Sequence, residues 1–156
     1  DAELTLGFFH AKGQHGLKED TKIATDLFLR AAKHGSSDAQ YNIGLAYVRG
    51  DGVTQDYKEA LQWFLKAAEQ NDAGAQYNAG VMYLSGEGTA KDPLLAYTWF
   101  SLASDNGFVG ASDGMNDAKH EMTEEQVKEI PATRARIEAT VKKPAKAQTN
   151  TEAMPL

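Results

Sequence analysis

The stretch Ala39-Gln40-Tyr41-Asn42-Ile43-Gly44-Leu45-Ala46-Tyr47-Val48-Arg49-Gly50-Asp51-Gly52 is answered 36 residues later by Ala75-Gln76-Tyr77-Asn78-Ala79-Gly80-Val81-Met82-Tyr83-Leu84-Ser85-Gly86-Glu87-Gly88. The correspondence runs on through Asp56, Ala60, Trp63, Phe64 and Ala67, which return as Asp92, Ala96, Trp99, Phe100 and Ala103. Of the 36 positions from Ala39 to Gly74, 14 are identical in the following unit. Read backwards, the same offset pairs Asp56, Ala60, Phe64, Ala67 and Ala68 with Asp20, Ala24, Phe28, Ala31 and Ala32. A one-residue slip at Gly13-Gln14-His15-Gly16 then sets Ala2, Gly7 and His10 in the slots of Ala39, Gly44 and Tyr47. Past Ala103 the pattern fades, keeping Ala111. A period in this range marks a stacked array in which each unit buries its apolar face against its neighbours. The units run over residues 1–36, 37–72 and 73–108, with a degenerate fourth unit and capping helices over 109–141.

Each unit reads as two helices. Ala39, Ile43, Ala46 and Tyr47 recur at helical spacing in the first half, and Ala60, Phe64, Ala67 and Ala68 do so in the second. Between them, Gly50-Asp51-Gly52 and Gly86-Glu87-Gly88 supply residues tolerant of positive φ to end the first helix. Asp20, Asp56 and Asp92 stand where an N-cap belongs, and Pro93 follows at the first helical position. Gly44 and Gly80 fall inside the first helix, where glycine costs about 1 kcal/mol against alanine. A compensating close approach of the second helix is expected there, with Ala60 or Ala96 facing the gap. No segment shows the alternation of a strand.

Composition narrows the classes of function. The 156 residues carry 16 basic and 22 acidic side chains, a net charge of −6 and no cysteine. The acidic balance argues against nucleic acid, whose binding needs clustered Lys and Arg. Absence of cysteine excludes disulfides, thiolate metal sites and a cysteine nucleophile. No apolar run approaches the roughly 20 residues of a membrane span, so membrane insertion is not expected. Opening on Asp1 reads as a processed or trimmed product with no signal peptide remaining. The 24 alanines and 14 glycines suit close helix–helix contact better than a core of large aliphatics.

The pattern Ala-x-x-x-(apolar)-Gly-x-x-Tyr, then Gly-x-Gly, then Asp, Ala, Trp-Phe and Ala-Ala resembles the Sel1-like repeat, a 36-residue relative of the tetratricopeptide repeat. Ala39–Asp105 carries it almost fully and Ala2–Lys33 more loosely, with His10 in place of the tyrosine. The resemblance implies an all-α, right-handed α-solenoid whose first helices line a concave groove. It implies a non-enzymatic adaptor for a protein or peptide partner, without cofactor, monomeric, in the bacterial periplasm or secreted. By the same analogy the groove positions are Tyr41, Asn42, Leu45 and Arg49 in the second unit and Tyr77, Asn78 and Val81 in the third. Tyrosines beside amides suit an extended peptide, since rings give area at low entropy cost and amides pair with peptide groups. The same tyrosines and asparagines also suit packing between first helices.

Asp113, Asp117, His120 and Glu121 recur at helical spacing on one face, which reads first of all as a solvated acidic face. If Ala111 keeps the phase of Ala75, they occupy groove slots and make the groove acidic at its C-terminal end. The rival reading of these four is a divalent-metal site for a metal-assisted hydrolase, and a third makes the chain a structural subunit of a larger envelope assembly. His10 and His15 form a weaker candidate chelate. Thr123-Glu124-Glu125-Gln126 has capping-box spacing and opens a last helix, which Pro131 is expected to kink or split. Residues 142–156, with two prolines and no sustained periodicity, read as a flexible tail.

Overall fold

A computed structural model of the chain describes residues 2–17 and 19–142. Among them are eight helices and no strand: α1 (Ala2–Lys12), α2 (Thr21–Lys33), α3 (Ser37–Arg49), α4 (Tyr57–Ala68), α5 (Ala73–Ser85), α6 (Pro93–Asp105), α7 (Ala111–His120) and α8 (Glu124–Glu138). From α1 to α7 each helix packs on the one before it and the one after it. The result is an all-α solenoid. The residues expected as the flexible tail lie outside the described residues, except Lys142, whose N–H donates to the Glu69 carbonyl at 2.7 Å.

Local chemistry sets the helix ends. The Asp20, Asp56 and Asp92 carboxylates accept from the backbone N–H of Ile23, Glu59 and Leu95 at 3.0, 3.0 and 2.9 Å. Ser36 and Asp72, which the repeat comparison left without a role, cap α3 and α5 in the same way. Gly50 and Gly86 close those two helices at φ +77°, a left-handed conformation that L side chains rarely adopt. The second glycine of each turn has a steric task as well. A Cβ at Gly52 would stand 2.5 Å from the Thr21 carbonyl oxygen, and one at Gly88 would stand 2.4 Å from that of Tyr57. Each turn therefore rests directly on the start of the preceding unit's second helix.

Within each unit the two helices meet through a phenylalanine ring seated on a glycine. A Cβ at Gly7, Gly44 or Gly80 would lie 2.6, 2.6 or 2.7 Å from ring carbons of Phe28, Phe64 or Phe100. The expectation that Ala60 or Ala96 faces the gap is corrected here: both are fully buried, but the ring occupies the space. A small residue in that place would bury far less area. Full burial of a phenylalanine contributes about 1.5–3 kcal/mol, which outweighs the ~1 kcal/mol that glycine costs in a helix.

Successive units are joined by a buried polar clamp. Gln76, fully buried, donates from Nε2 to the Ala68 carbonyl at 3.2 Å and accepts at Oε1 from Asn106 Nδ2 at 2.8 Å. One unit earlier, Gln40 donates to the Ala32 carbonyl at 3.2 Å and accepts from Gln70 Nε2 at 2.8 Å. The glutamine thus ties the end of one unit's second helix to both helices of the next. In the first unit its slot holds Glu3, whose carboxylate meets Arg30 at 2.8 Å and His34 at 3.4 Å.

The C-terminal part departs from the repeat. α7 takes the first-helix position of a fourth unit and packs on α6, but α8 does not take the second-helix position. Instead α8 lies mainly on α6. Ile137 enters the core beside Trp99 and Leu102, and Arg134 bonds Ser101 Oγ at 3.0 Å and pairs with Asp105 and Glu138. The Thr123 capping box forms in both directions, at 3.2 and 2.9 Å. Of the two outcomes expected for Pro131, a split does not occur: α8 runs unbroken through it. The proline is exposed, on the side of α8 away from Ile137 and Thr133, which are buried.

The ring-on-glycine contact is testable by Gly80→Ala. Its methyl group cannot be accommodated while Phe100 is buried on all sides, so unfolding free energy in urea should fall by about 1–3 kcal/mol despite the ~1 kcal/mol gained in helix propensity. Unchanged or increased stability would refute this packing.

Candidate functional site

The first helices α1, α3, α5 and α7 form one row, and two open hollows lie along it. The first has a volume of about 390 Å³ and is bounded by Phe8, Ala11 and Lys12 of α1, Asn42 and Arg49 of α3, the turn residues Glu19 and Asp51, and Thr21, Ala24, Thr25 and Phe28 of α2. The second, of about 480 Å³, lies between α5 and α7. Tyr77, Val81 and Leu84 form one wall, Asp113 and Asp117 the other, and Phe100 with Gly114 the floor, while Ser85, Lys91 and Glu121 also border it.

The nine residues expected to line the groove divide into two groups. Arg49, Asp113 and Asp117 are exposed, Val81 is 36% exposed, and all four border a hollow. Asn42 borders the first hollow while donating from Nδ2 to the Asp38 carbonyl of its own helix at 2.7 Å. Tyr41, Leu45 and Tyr77 are half-buried and committed to packing. The Tyr41 ring is 5.8 Å from Phe64 and its Cε2 would be 3.2 Å from a Cβ at Gly74. Leu45 packs against the central core cluster. Tyr77 lies 5.3 Å from Phe100 and stacks on Phe108 at 4.6 Å, with its edge still bordering the second hollow. Asn78 is half-buried and borders neither hollow. The other half-buried tyrosine slot, Tyr83, belongs to the interior: burial, and after it the Asp92 carboxylate, raise its phenol above the ordinary pKa.

Among the described residues no three His, Asp or Glu side chains gather to hold an ion. His120 is exposed and does not border the hollow, and Glu121 is paired with Lys91 at 2.5 Å. His10 and His15 do not converge either. The His15 ring packs on Phe9 at 4.3 Å, while His10 Nδ1 is buried with no hydrogen-bond partner among the described residues. A third hollow, of about 270 Å³ between α6 and α8, has Arg134 at its edge, but that guanidinium is already engaged by Ser101, Asp105 and Glu138.

The Sel1 repeat family model matches residues 1–36, 37–72 and 73–108. The chain belongs to the Sel1 repeat family. Sel1 repeat proteins generally act in protein–protein interaction. A Sel1 repeat protein from Oxalobacter formigenes is 35% identical, superposes with a TM-score of 0.71, and is matched over 73% of this chain and 46% of its own. A protective antigen present in uropathogenic Escherichia coli strains, displaying an SLR fold, superposes at 0.73 with 24% identity over 90% of this chain and 38% of its own. At that identity the second likeness concerns the fold alone. This chain spans less than half the length of either structure. No curated protein matches it.

The two groups should separate in thermal and urea unfolding. Tyr41→Ala and Tyr77→Ala each remove ring packing and should cost about 2–3 kcal/mol, near the low end for large-to-small core changes. Arg49→Ala and Asp117→Ala should stay within about 0.5 kcal/mol. If the tyrosine variants were as stable as wild type, the rings would be free groove elements after all.

Proposed function

We propose that this Sel1 repeat chain is a non-enzymatic adaptor that binds a peptide, or a segment of a partner protein, along the row of first helices. The observation that carries this reading is the pair of open hollows on that row. Both are bordered by side chains that contribute little to the core: Lys12 and Arg49 at one, Val81, Asp113 and Asp117 at the other. A solenoid puts such positions at a fixed spacing on a rigid backbone, so binding orders little of the adaptor itself and loses little conformational entropy. Tyr41 and Tyr77 then act chiefly as supports that hold the wall, and recognition falls to the exposed residues between them. The C-terminal hollow has an apolar wall and an acidic one, and the N-terminal hollow is mixed in charge.

Peptide display on the immobilised chain tests this. Selected peptides should lose at least about tenfold in affinity, or 1.4 kcal/mol, on the double variant Arg49→Ala with Val81→Glu. They should bind normally to Lys58→Ala with Gln62→Ala, exposed on the second-helix layer. Equal loss on both variants, or loss only on the second, would move the binding face away from the groove.

A further inference from the structure

We infer that the hollow between α5 and α7 is a recognition pocket for a lysine or arginine side chain of the bound segment; this rests on the groove reading above and adds the chemistry of its partner. Three features of this hollow differ from the regular repeat. The slot that holds Asn42 and Asn78 in the second and third units holds Gly114 here, which brings the α7 backbone onto Phe100. A Cβ at Gly114 would stand 2.8 Å from the Phe100 ring, so the floor carries no side chain. The slots of Tyr77 and Val81 hold Asp113 and Asp117, which turns the α7 wall from apolar to acidic while the α5 wall keeps Tyr77, Val81 and Leu84.

The charge arrangement on α7 favours a cationic occupant. Asp113, Asp117 and Glu121 succeed one another at i, i+4 spacing, which is mutually repulsive by a few tenths of a kcal/mol per pair. Asp113, in the first turn of α7, gains some return from the helix N-terminus. Asp117, further along α7, gains none. Lys91 neutralises Glu121, whereas neither Asp113 nor Asp117 forms an ion pair among the described residues. Two exposed carboxylates one turn apart thus border the same open space of about 480 Å³ as Tyr77, Val81 and Leu84, with Ser85 and the Lys91–Glu121 pair also at its edge. A lysine or arginine fits both walls at once, its aliphatic stem along Tyr77, Val81 and Leu84 and its charged head between the carboxylates. The Tyr77 ring, held by Phe108, offers its remaining exposed edge to the stem. Lys91 borders the same hollow but its ion pair is with Glu121, so a basic side chain would be the first to pair with Asp113 and Asp117.

The test uses fluorescently labelled pools of short peptides, randomised except for a fixed central Lys, Arg, norleucine or Glu, titrated into the full chain. At low salt the Lys and Arg pools should bind at least about tenfold more tightly than the norleucine pool, and the Glu pool most weakly. That preference should shrink as salt rises and vanish in Asp113→Asn with Asp117→Asn, whose stability should equal or slightly exceed wild type. Norleucine binding as tight as Lys, with backbone amide resonances of Val81 and Gly114 shifting in both cases, would overturn the basic anchor and leave the groove reading intact. If no pool shifts those resonances or the amide of Arg49, the groove reading itself fails. A change of sedimentation coefficient in the Asn variant would make a second copy the occupant and overturn the inference.

Discussion

The molecule depends on a phenylalanine ring lying flush against a helix backbone. Phe28, Phe64 and Phe100 each occupy a space that exists only because Gly7, Gly44 and Gly80 have no Cβ. A glycine in a helix is locally unfavourable, and the ring is apolar enough to return more than that loss once buried. The contact therefore cannot be exchanged piecemeal. Phe100 is held this way from two sides, by Gly80 within its own unit and by Gly114 from α7, so the last regular unit and the irregular end of the array share one ring.

Stacking between units has a different physical basis. Apolar contact between alanine-rich faces lets helices approach closely but does little to fix their register. Direction comes from Gln40 and Gln76, each donating to a carbonyl at the end of the preceding second helix and accepting from an amide at the end of its own unit. An amide buried without those partners would lose about 1–3 kcal/mol, so only the register that satisfies it is stable. Gly52 and Gly88 add a steric condition, since their turns fit only when seated on the start of the preceding helix. At the C-terminal end α7 presents a largely polar outer face, and α8 turns back onto α6.

These two sets of contacts use up most of the repeated residues, which bears on function. Tyr41, Tyr77, Gln40 and Gln76 recur because the second and third units use them to pack. The residues left to distinguish this chain are those that break the repeat on the groove side: Arg49 against Ser85, Asp113 against Tyr77, Gly114 against Asn78 and Asp117 against Val81. A rigid array displaying non-repeated side chains on one row of helices is compatible with the interaction role of the Sel1 repeat family.

How much of this was legible in the sequence follows from how local each cause is. The 36-residue period, the paired helices, the aspartate caps and the glycine stops are each decided within a few residues, so Asp20, Asp56, Asp92, Gly50 and Gly86 appear in the structure in the roles their spacing implied. Gln40 and Gln76 were visible as identities but not as a clamp, because their partners lie 30 residues away on another helix. The same limit applies to Gly44: its lack of a side chain called for a neighbour, and only the packed pair shows that the neighbour is Phe64 and not Ala60. Pro131 does not divide α8, because the helix is held by Ile137 and Arg134 against α6 and leaves the proline exposed. Sequence alone thus determined the repeat, the pair of helices in each unit and the family. Tertiary structure decided which groove residues are already used in packing and where open space remains, since burial and cavity are properties of surfaces brought together by separate helices.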